Sequence, residues 1–445
     1  MAAGIGLGIS MGWTAAKKGF SAVIQGLFAI LEARSTYFEN ANKSKLSVQE
    51  LETASLLDKA SIILTPTGYS KDAIHNVKPS SSPFGDITLI QNGTTTRVNE
   101  SGLVASNTTD IPRIDYSKGQ GAILSEVSSV NQIRYSEDFS NALWLTPGVT
   151  RTSSTGANPR GESATIYAIQ GTAAQGGLEG AMASSSGGNG VGVSCWVRKK
   201  NGVGTTNVEI GFGDSSSTST TTVSVGGDWQ RITYTSTGYT GANRFYIDAE
   251  GIAADDTIEV WGAQVEKTAT GQVGRVTSYI PTTSASVTRS RDNYLNGGDA
   301  SLIGAQEGVL YIEAAALADS NTSRAIALSA ANSPANRVVI FYSSTSNTIQ
   351  GRVQASTSTT IAINGTVSNP AAFNKIAFKY KSGDLALWIN GTEVATSTTS
   401  FTFNAALSEL AFDQGNGSIH MEGLVKSVVV FKEALSDAEL TALTS

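Results

Sequence analysis

The chain is poor in the residues that enzymes most often place at a reacting centre. It has two histidines, His75 and His420, and one cysteine, Cys195. A Ser-His-Asp or Cys-His site would have to be built around these few groups. A lone cysteine leaves no intrachain disulfide, and no CxxC, HExxH or calcium-loop spacing occurs. Charge is scarce too, at 15% of residues with a net of -6. That balance offers no basic footprint and argues against nucleic acid as a partner. The apolar stretch "FSAVIQGLFAILEA" is interrupted by Gln25 and Gly26. It falls short of the roughly twenty residues that span a bilayer, so no membrane-crossing helix is expected. The opening "MAAGIGLGISMGW" has Gly4, Gly6 and Gly8 but no preceding strand and no basic n-region. It reads neither as a phosphate-binding loop nor as a signal peptide.

What is abundant is glycine, 46 residues, with serine and threonine crowded between short apolar runs. That texture is typical of β-sandwiches, and 445 residues exceed one ordinary core. Near the N-terminus, Phe20, Val23, Ile24, Leu27, Phe28 and Leu31 recur at helical spacing, and Ser47 with Glu50 forms a capping box. Residues 1–59 are therefore expected to form two helices without a core of their own. They either pack on their own chain or serve self-association and attachment. Beyond Leu57 the chain reads as strands and polar turns.

Single residues follow from that pattern. Cys195, in the alternating "VGVSCWVRK", is expected to be a buried, inert thiol. Trp196, Trp229 and Trp261 fall inside strands and are expected to fill the space between sheets. In "GDLALWINGTEVATS", Leu385, Leu387 and Ile389 alternate with Ala386 and Trp388. Asn390-Gly391 then supplies the positive φ values of a tight type I′ hairpin. Near the end, Ser436 and Glu439 in "ALSDAELTAL" form a second capping box.

Two acidic clusters invite a chemical reading. Glu250, Asp255, Asp256 and Glu259 in "AEGIAADDTIEV" include enough carboxylates for a glycosidase pair. Asp255-Asp256 sits in a turn between strands, which favours solvated charge instead. In "FDQGNGS", Asp413, Gln414 and Asn416 lie between Glu409 and Glu422. A hard cation wants several oxygen ligands close together, and this loop carries one carboxylate, so a glycine-rich turn is expected. No metal and no cofactor are expected anywhere in the chain.

Motif order adds a resemblance. Leu64-Thr65-Pro66, Lys78-Pro79, Thr96-Arg97-Val98-Asn99 with Gly102-Leu103, and Pro112-Arg113-Ile114-Asp115-Tyr116 follow one another. This order resembles a module of many bacteriophage virion proteins. One departure is "ITLIQNGTTTRVN", where that family commonly has Phe-Ser-Arg before the Thr-Arg-Val-Asn. "NQIRYSEDFSNALW" then resembles the opening of a carbohydrate-binding-module-like jelly roll, "VSCWVRK", "GDWQRITYTS" and "VWGAQVEK" its later strands, and "TSYIPTTSASVTR" its exit. From Gly308 onward, Asn390-Gly391, Gly423-Leu424-Val425 and Leu435 to Leu440 resemble in their order a concanavalin-like, laminin-G-type domain.

The expected architecture is mainly β: a short N-terminal helical segment followed by two β-sandwich, jelly-roll domains. The divisions are 1–59, a helical attachment or oligomerisation segment; 60–125, a β-rich connector; 126–290, the carbohydrate-binding-module-like jelly roll; and 300–445, the concanavalin-like, laminin-G-type sandwich. The resemblance implies a structural protein of the virion, a head or tail fibre or appendage, that binds host-surface glycans and is not an enzyme. The alternatives are a purely structural decoration protein without ligand and a glycan-degrading depolymerase. Expected partners are further copies of the chain, as a trimer or else a dimer, and other virion proteins through residues 1–59. The candidate carbohydrate-binding residues are Trp388, Tyr342, Asn416 and Trp144. The expected location is the virion, after synthesis in the host cytoplasm.

Overall fold

The computed structural model describes residues 51, 55–66, 74–78, 87–172, 176–184, 187–214, 218–237, 241, 243–249, 256–319, 322–330 and 333–445. The helical segment expected over residues 1–59 lies almost wholly outside them. The rest is mainly β, in antiparallel sheets that stack as sandwiches.

One sandwich is built from two five-stranded sheets. The first runs Val149–Ala157, Ser163–Gly171, Ile258–Thr270, Asn189–Lys199, Gln230–Ser236. The second runs Thr218–Val225, Thr206–Gly213, Arg244–Ala249, Leu178–Ala181, Trp144–Leu145. Alternation decides what each side chain meets, because neighbours along a strand face opposite ways. Val193, Cys195 and Val197 point between the sheets and pack with Ile210, Phe212, Phe245 and Ile247. Trp196 therefore points outward. With Trp261, Tyr279 and Val104 it forms a separate apolar cluster, against which Trp229 packs. The tryptophans thus do not fill the space between sheets; they lie on the outer face, beneath the exit segment. An added Cβ at Gly192 would come within 1.9 Å of the Arg275 carbonyl, so this segment rests directly on the sheet.

The C-terminal sandwich pairs a nine-stranded with a five-stranded sheet. The long sheet includes Ala60–Pro66, Gly423–Phe431, Glu307–Ala316, Asn374–Lys381, Leu385–Ile389 and Thr392–Ser397. The facing sheet runs Thr360–Thr366, Thr348–Gln354, Arg337–Tyr342, Arg324–Ser329, Glu409–Ala411. Residues 60–125, expected as a connector, are woven into it. Ile62, Ile63 and Leu64 pair with Val430, Val429 and Val428, and Ala122–Ser125 pairs with the other end of Gly423–Phe431. Ile62, Leu64, Ile114 and Ile123 share one core with Leu310, Ile326 and Phe378.

The Asn390-Gly391 hairpin forms as expected, with φ of 48° and 82° at its two turn residues. Leu385, Leu387 and Ile389 enter the core between the sheets. Ala386 and Trp388 face the other way, against Leu440 and Leu443 of the helix Asp437–Thr444. That helix carries the expected Ser436/Glu439 capping box. Glu439 also pairs with Lys59, and the Lys59 ammonium and the Ser436 amide hold its carboxyl at about 2.

A buried ionic cluster ties the parts together. Arg113 Nη1 donates to Glu126 Oε2 at 2.7 Å and to Ser278 Oγ at 2.8 Å, while Nη2 donates to Asp292 Oδ2. The Glu126 amide donates to the same Asp292 oxygen at 2.9 Å, and Arg289 lies 3.5 Å from Glu126.

Candidate functional site

A groove of about 740 Å³ opens on the first sandwich, where the segment entering it meets the segment leaving it. Residues 135–140 form one wall and residues 281–283 the other, with Thr165 and Tyr167 at the side. Tyr135 is held at φ 54°, a left-handed conformation that a bulky residue rarely adopts without support. The support is visible. The Tyr135 amide donates to Thr283 O at 2.6 Å, and Trp144 Nε1 donates to Tyr135 O at 3.0 Å. Next to it, Ser136 Oγ accepts from the Thr282 amide at 2.9 Å, locking the two walls together.

The floor carries two carboxylates. Asp138 is exposed, and its Oδ1 accepts from the Ser140 amide at 3.1 Å, Ser140 Oγ at 2.5 Å and Tyr167 Oη at 2.8 Å. The Ser140 hydrogen bonds, opposed by partial burial and helped by Tyr167, hold its carboxyl below the usual range. It therefore stays an anionic acceptor at neutral pH, with Oδ2 unused by these bonds. Glu137 accepts from Tyr279 Oη at 3.1 Å and lies 3.5 Å from Arg160. Arg160 in turn sits 5.5 Å from the centre of the Trp261 ring. The groove thus presents a half-buried tyrosine ring, fixed acceptors and the exposed hydroxyls of Thr165 and Thr283. Those groups suit a polyhydroxylated ligand, whose hydroxyls need acceptors and whose C–H faces stack on aromatic rings.

The residues named from sequence stand elsewhere. Trp144, Tyr342 and Trp388 are buried and offer no ring face to solvent, so as candidate carbohydrate-binding residues they are not placed to stack on a sugar. Trp144 packs on Phe139 and Phe245 and acts from beneath the groove through Tyr135. Tyr342 crosses the C-terminal core to donate to Ala314 O at 2.6 Å. Trp388 lies under the C-terminal helix. Asn416 is half-exposed, and its Oδ1 accepts from Ser418 Oγ at 2.7 Å. Strand alternation allowed either side for Trp388; which side is covered depends on distant chain. Tyr135, Glu137 and Asp138 were missed, although they sit in the quoted "IRYSEDFS". Their signal is a tyrosine and two adjacent acids in a stretch without strand alternation.

The other candidates resolve locally. Cys195 is fully buried, and burial pushes its thiol up to about 12. Glu259 pairs with Arg198 at 2.6 Å and Asp256 accepts from Thr206 Oγ1, while Glu250 and Asp255 lie outside the described residues. Asp413 Oδ1 accepts from the Gly415 and Gly417 amides at 2.5 and 3.4 Å, so this residue organises its own turn. Among the described residues, no group of three or more His, Cys, Asp or Glu side chains is placed to hold a metal ion. Nor is any helix among them long and apolar enough to cross a membrane.

Residues 312–441 match the family described as the concanavalin A-like lectin/glucanases superfamily. The C-terminal sandwich is thus a concanavalin-like lectin/glucanase domain. No curated protein matches the chain. Among solved structures, CBM40 of the Ruminococcus gnavus IT-sialidase bound to α2,3-sialyllactose is similar at 16% identity and a TM-score of 0.29, over 33% of this chain and 86% of that one. Domain 4 of AbnA, a GH43 extracellular arabinanase from Geobacillus stearothermophilus, is similar at 13% identity and a TM-score of 0.29, over 39% of this chain and 82% of that one. The heptameric SAP-like pentraxin of Limulus polyphemus is similar at 12% identity and a TM-score of 0.27, over 32% and 70%.

Proposed function

We propose that the protein is a structural component of a bacteriophage virion, a head or tail fibre or appendage, whose sandwiches bind host-surface glycans. The observation that carries the glycan part is the groove around Tyr135, Glu137 and Asp138. The lectin/glucanase-type domain over residues 312–441 supports binding as the mode of action. The virion part rests on the motif order from Leu64-Thr65-Pro66 to Pro112-Arg113-Ile114-Asp115-Tyr116. In this reading residues 1–59 attach the chain to other virion proteins and to its own copies, as a trimer or else a dimer. Catalysis is not part of the role. Asp138, kept ionised, accepts hydrogen bonds from the sugar instead of delivering a proton.

Calorimetry of the full chain against purified host-envelope polysaccharides tests the site. The unaltered protein is expected to bind without releasing oligosaccharides. Asp138→Asn and Tyr135→Ala are expected to weaken binding about tenfold or more, since each removes a charged acceptor or a stacking face. Absence of binding would return the protein to a purely structural role, and binding that neither substitution alters would place the glycan site outside this groove. Antibody labelling of intact particles tests the virion assignment separately.

A further inference from the structure

A second cavity, of about 250 Å³, lies where three parts of the chain meet. The hairpin Thr95–Val98/Val104–Asn107 closes one side, the outer face of the first sandwich another, and the C-terminal sandwich a third. Val98, Val104, Leu124, Leu317 and Leu424 form its apolar walls. Two cations, Arg97 and Arg231, and two carboxylates, Asp115 and Glu126, also line it.

Arg231 is unusual in its partners. Its Nε and Nη2 both donate to Ser194 Oγ, at 3.2 and 2.9 Å, and the guanidinium lies 4.6 Å from the centre of the Trp196 ring. Neither partner is an anion, and no ion pair to Arg231 occurs among the described residues. Nearby carboxylates are engaged elsewhere. Glu266 accepts from Ser129 Oγ, Gln264 Nε2, and the Thr277 amide and hydroxyl. Asp115 accepts from the Val98 and Ser117 amides. Glu126 serves Arg113, Ser278 and Arg289. Loss of hydration accordingly lowers the Arg231 pKa even though Glu266 and Glu126 act in the other direction. Arg231 is half-buried, and with no carboxylate in contact its guanidinium can take a ligand carboxylate through charge-assisted, bidentate bonds.

We propose that this junction cavity binds a small organic carboxylate, with the carboxylate on Arg231 and a compact apolar body against the valine and leucine walls. Because the walls come from three parts of the chain, the ligand would brace the connector hairpin against both sandwiches.

Benzoate and its neutral counterpart benzyl alcohol, titrated into the full chain by calorimetry and followed by thermal unfolding, test the site. Benzoate is expected to bind once per chain and to raise the melting temperature with concentration. Benzyl alcohol is expected to bind at least about tenfold more weakly, because it lacks the charge that Arg231 recognises. Arg231→Gln is expected to abolish the preference for benzoate. Leu317→Phe, which adds bulk to the apolar wall, is expected to abolish binding of both and keeps the test open if Arg231→Gln fails to fold. The proposal is overturned by no benzoate binding at about 10 mM, a concentration at which even millimolar sites fill. Equal binding of the two probes, or benzoate binding that survives Leu317→Phe, would overturn it too.

Discussion

Arg113 is fully buried, and its charge is matched by Glu126 and Asp292 from two different segments. Removing one partner of a buried ion pair leaves the others desolvated and unpaired, which costs about 3–5 kcal/mol. Arg113→Met is therefore expected to lower the urea midpoint sharply; a loss below about 1 kcal/mol would show that the cluster relaxes or admits water. Within that cluster burial raises the Asp292 carboxyl, so the acid limit comes from Glu126. Burial alone would raise the Glu126 carboxyl, but Arg289, Arg113 and the Ser278 hydrogen bonds hold it at about 2, against an ordinary 4.5. A folded pKa below the unfolded one means stability that is complete above pH 4.5 and lost as pH falls towards 2. Urea midpoints measured through that window should fall, and should fall less steeply in Arg113→Met. Cys195 gives a simpler reading. A fully buried thiol at about 12 is protonated at pH 8, so it should react with a thiol reagent only after unfolding.

Among elements, the Asn390-Gly391 hairpin and the C-terminal helix support one another. Gly391 sits at φ 82°, and a Cβ there would lie 3.1 Å from Ser445 Oγ. Gly391→Ala is expected to cost about 1–2 kcal/mol through the left-handed backbone alone. Ser436→Ala removes the N-cap and should cost about 1 kcal/mol. Lys59→Met, which breaks an exposed pair, should change stability far less and only at low salt. Denaturation of these three variants orders them. An effect of Lys59→Met equal to that of Gly391→Ala would contradict the solvent-screening argument. These elements were legible because their signals are local: period-two alternation, an Asn-Gly turn, and a serine followed three residues later by glutamate.

At the scale of the molecule, the C-terminal sheet is not made only of C-terminal residues. Ala60–Pro66 and Ala122–Ser125 both pair with Gly423–Phe431, and Ile62, Leu64, Ile114 and Ile123 enter the shared core. A protein truncated to residues 300–445 would expose that strand's edge and lose those side chains. Such an edge templates association, so the truncated protein should aggregate or melt well below a protein spanning residues 60–445. Light scattering and thermal unfolding compare them; equal melting temperatures would mean that the early strands are ornament.

The sequence by itself determined what depends on near neighbours: strands from alternation, turns from glycine and asparagine, caps from serine and glutamate, and a mainly β chain of sandwich domains. It could say that Trp388 lies on a strand, but not which face would be covered. A strand has two faces, and the covering layer is supplied by chain tens to hundreds of residues away. The tertiary structure alone decided that Trp196 and Trp261 lie outside the sandwich under the exit segment. It alone placed Asp292 against Arg113 and brought Tyr135 and Asp138 beside Thr282 and Thr283 in one groove. Those meetings join segments far apart in the chain, and no local pattern encodes a contact whose partner is set by how whole sheets stack.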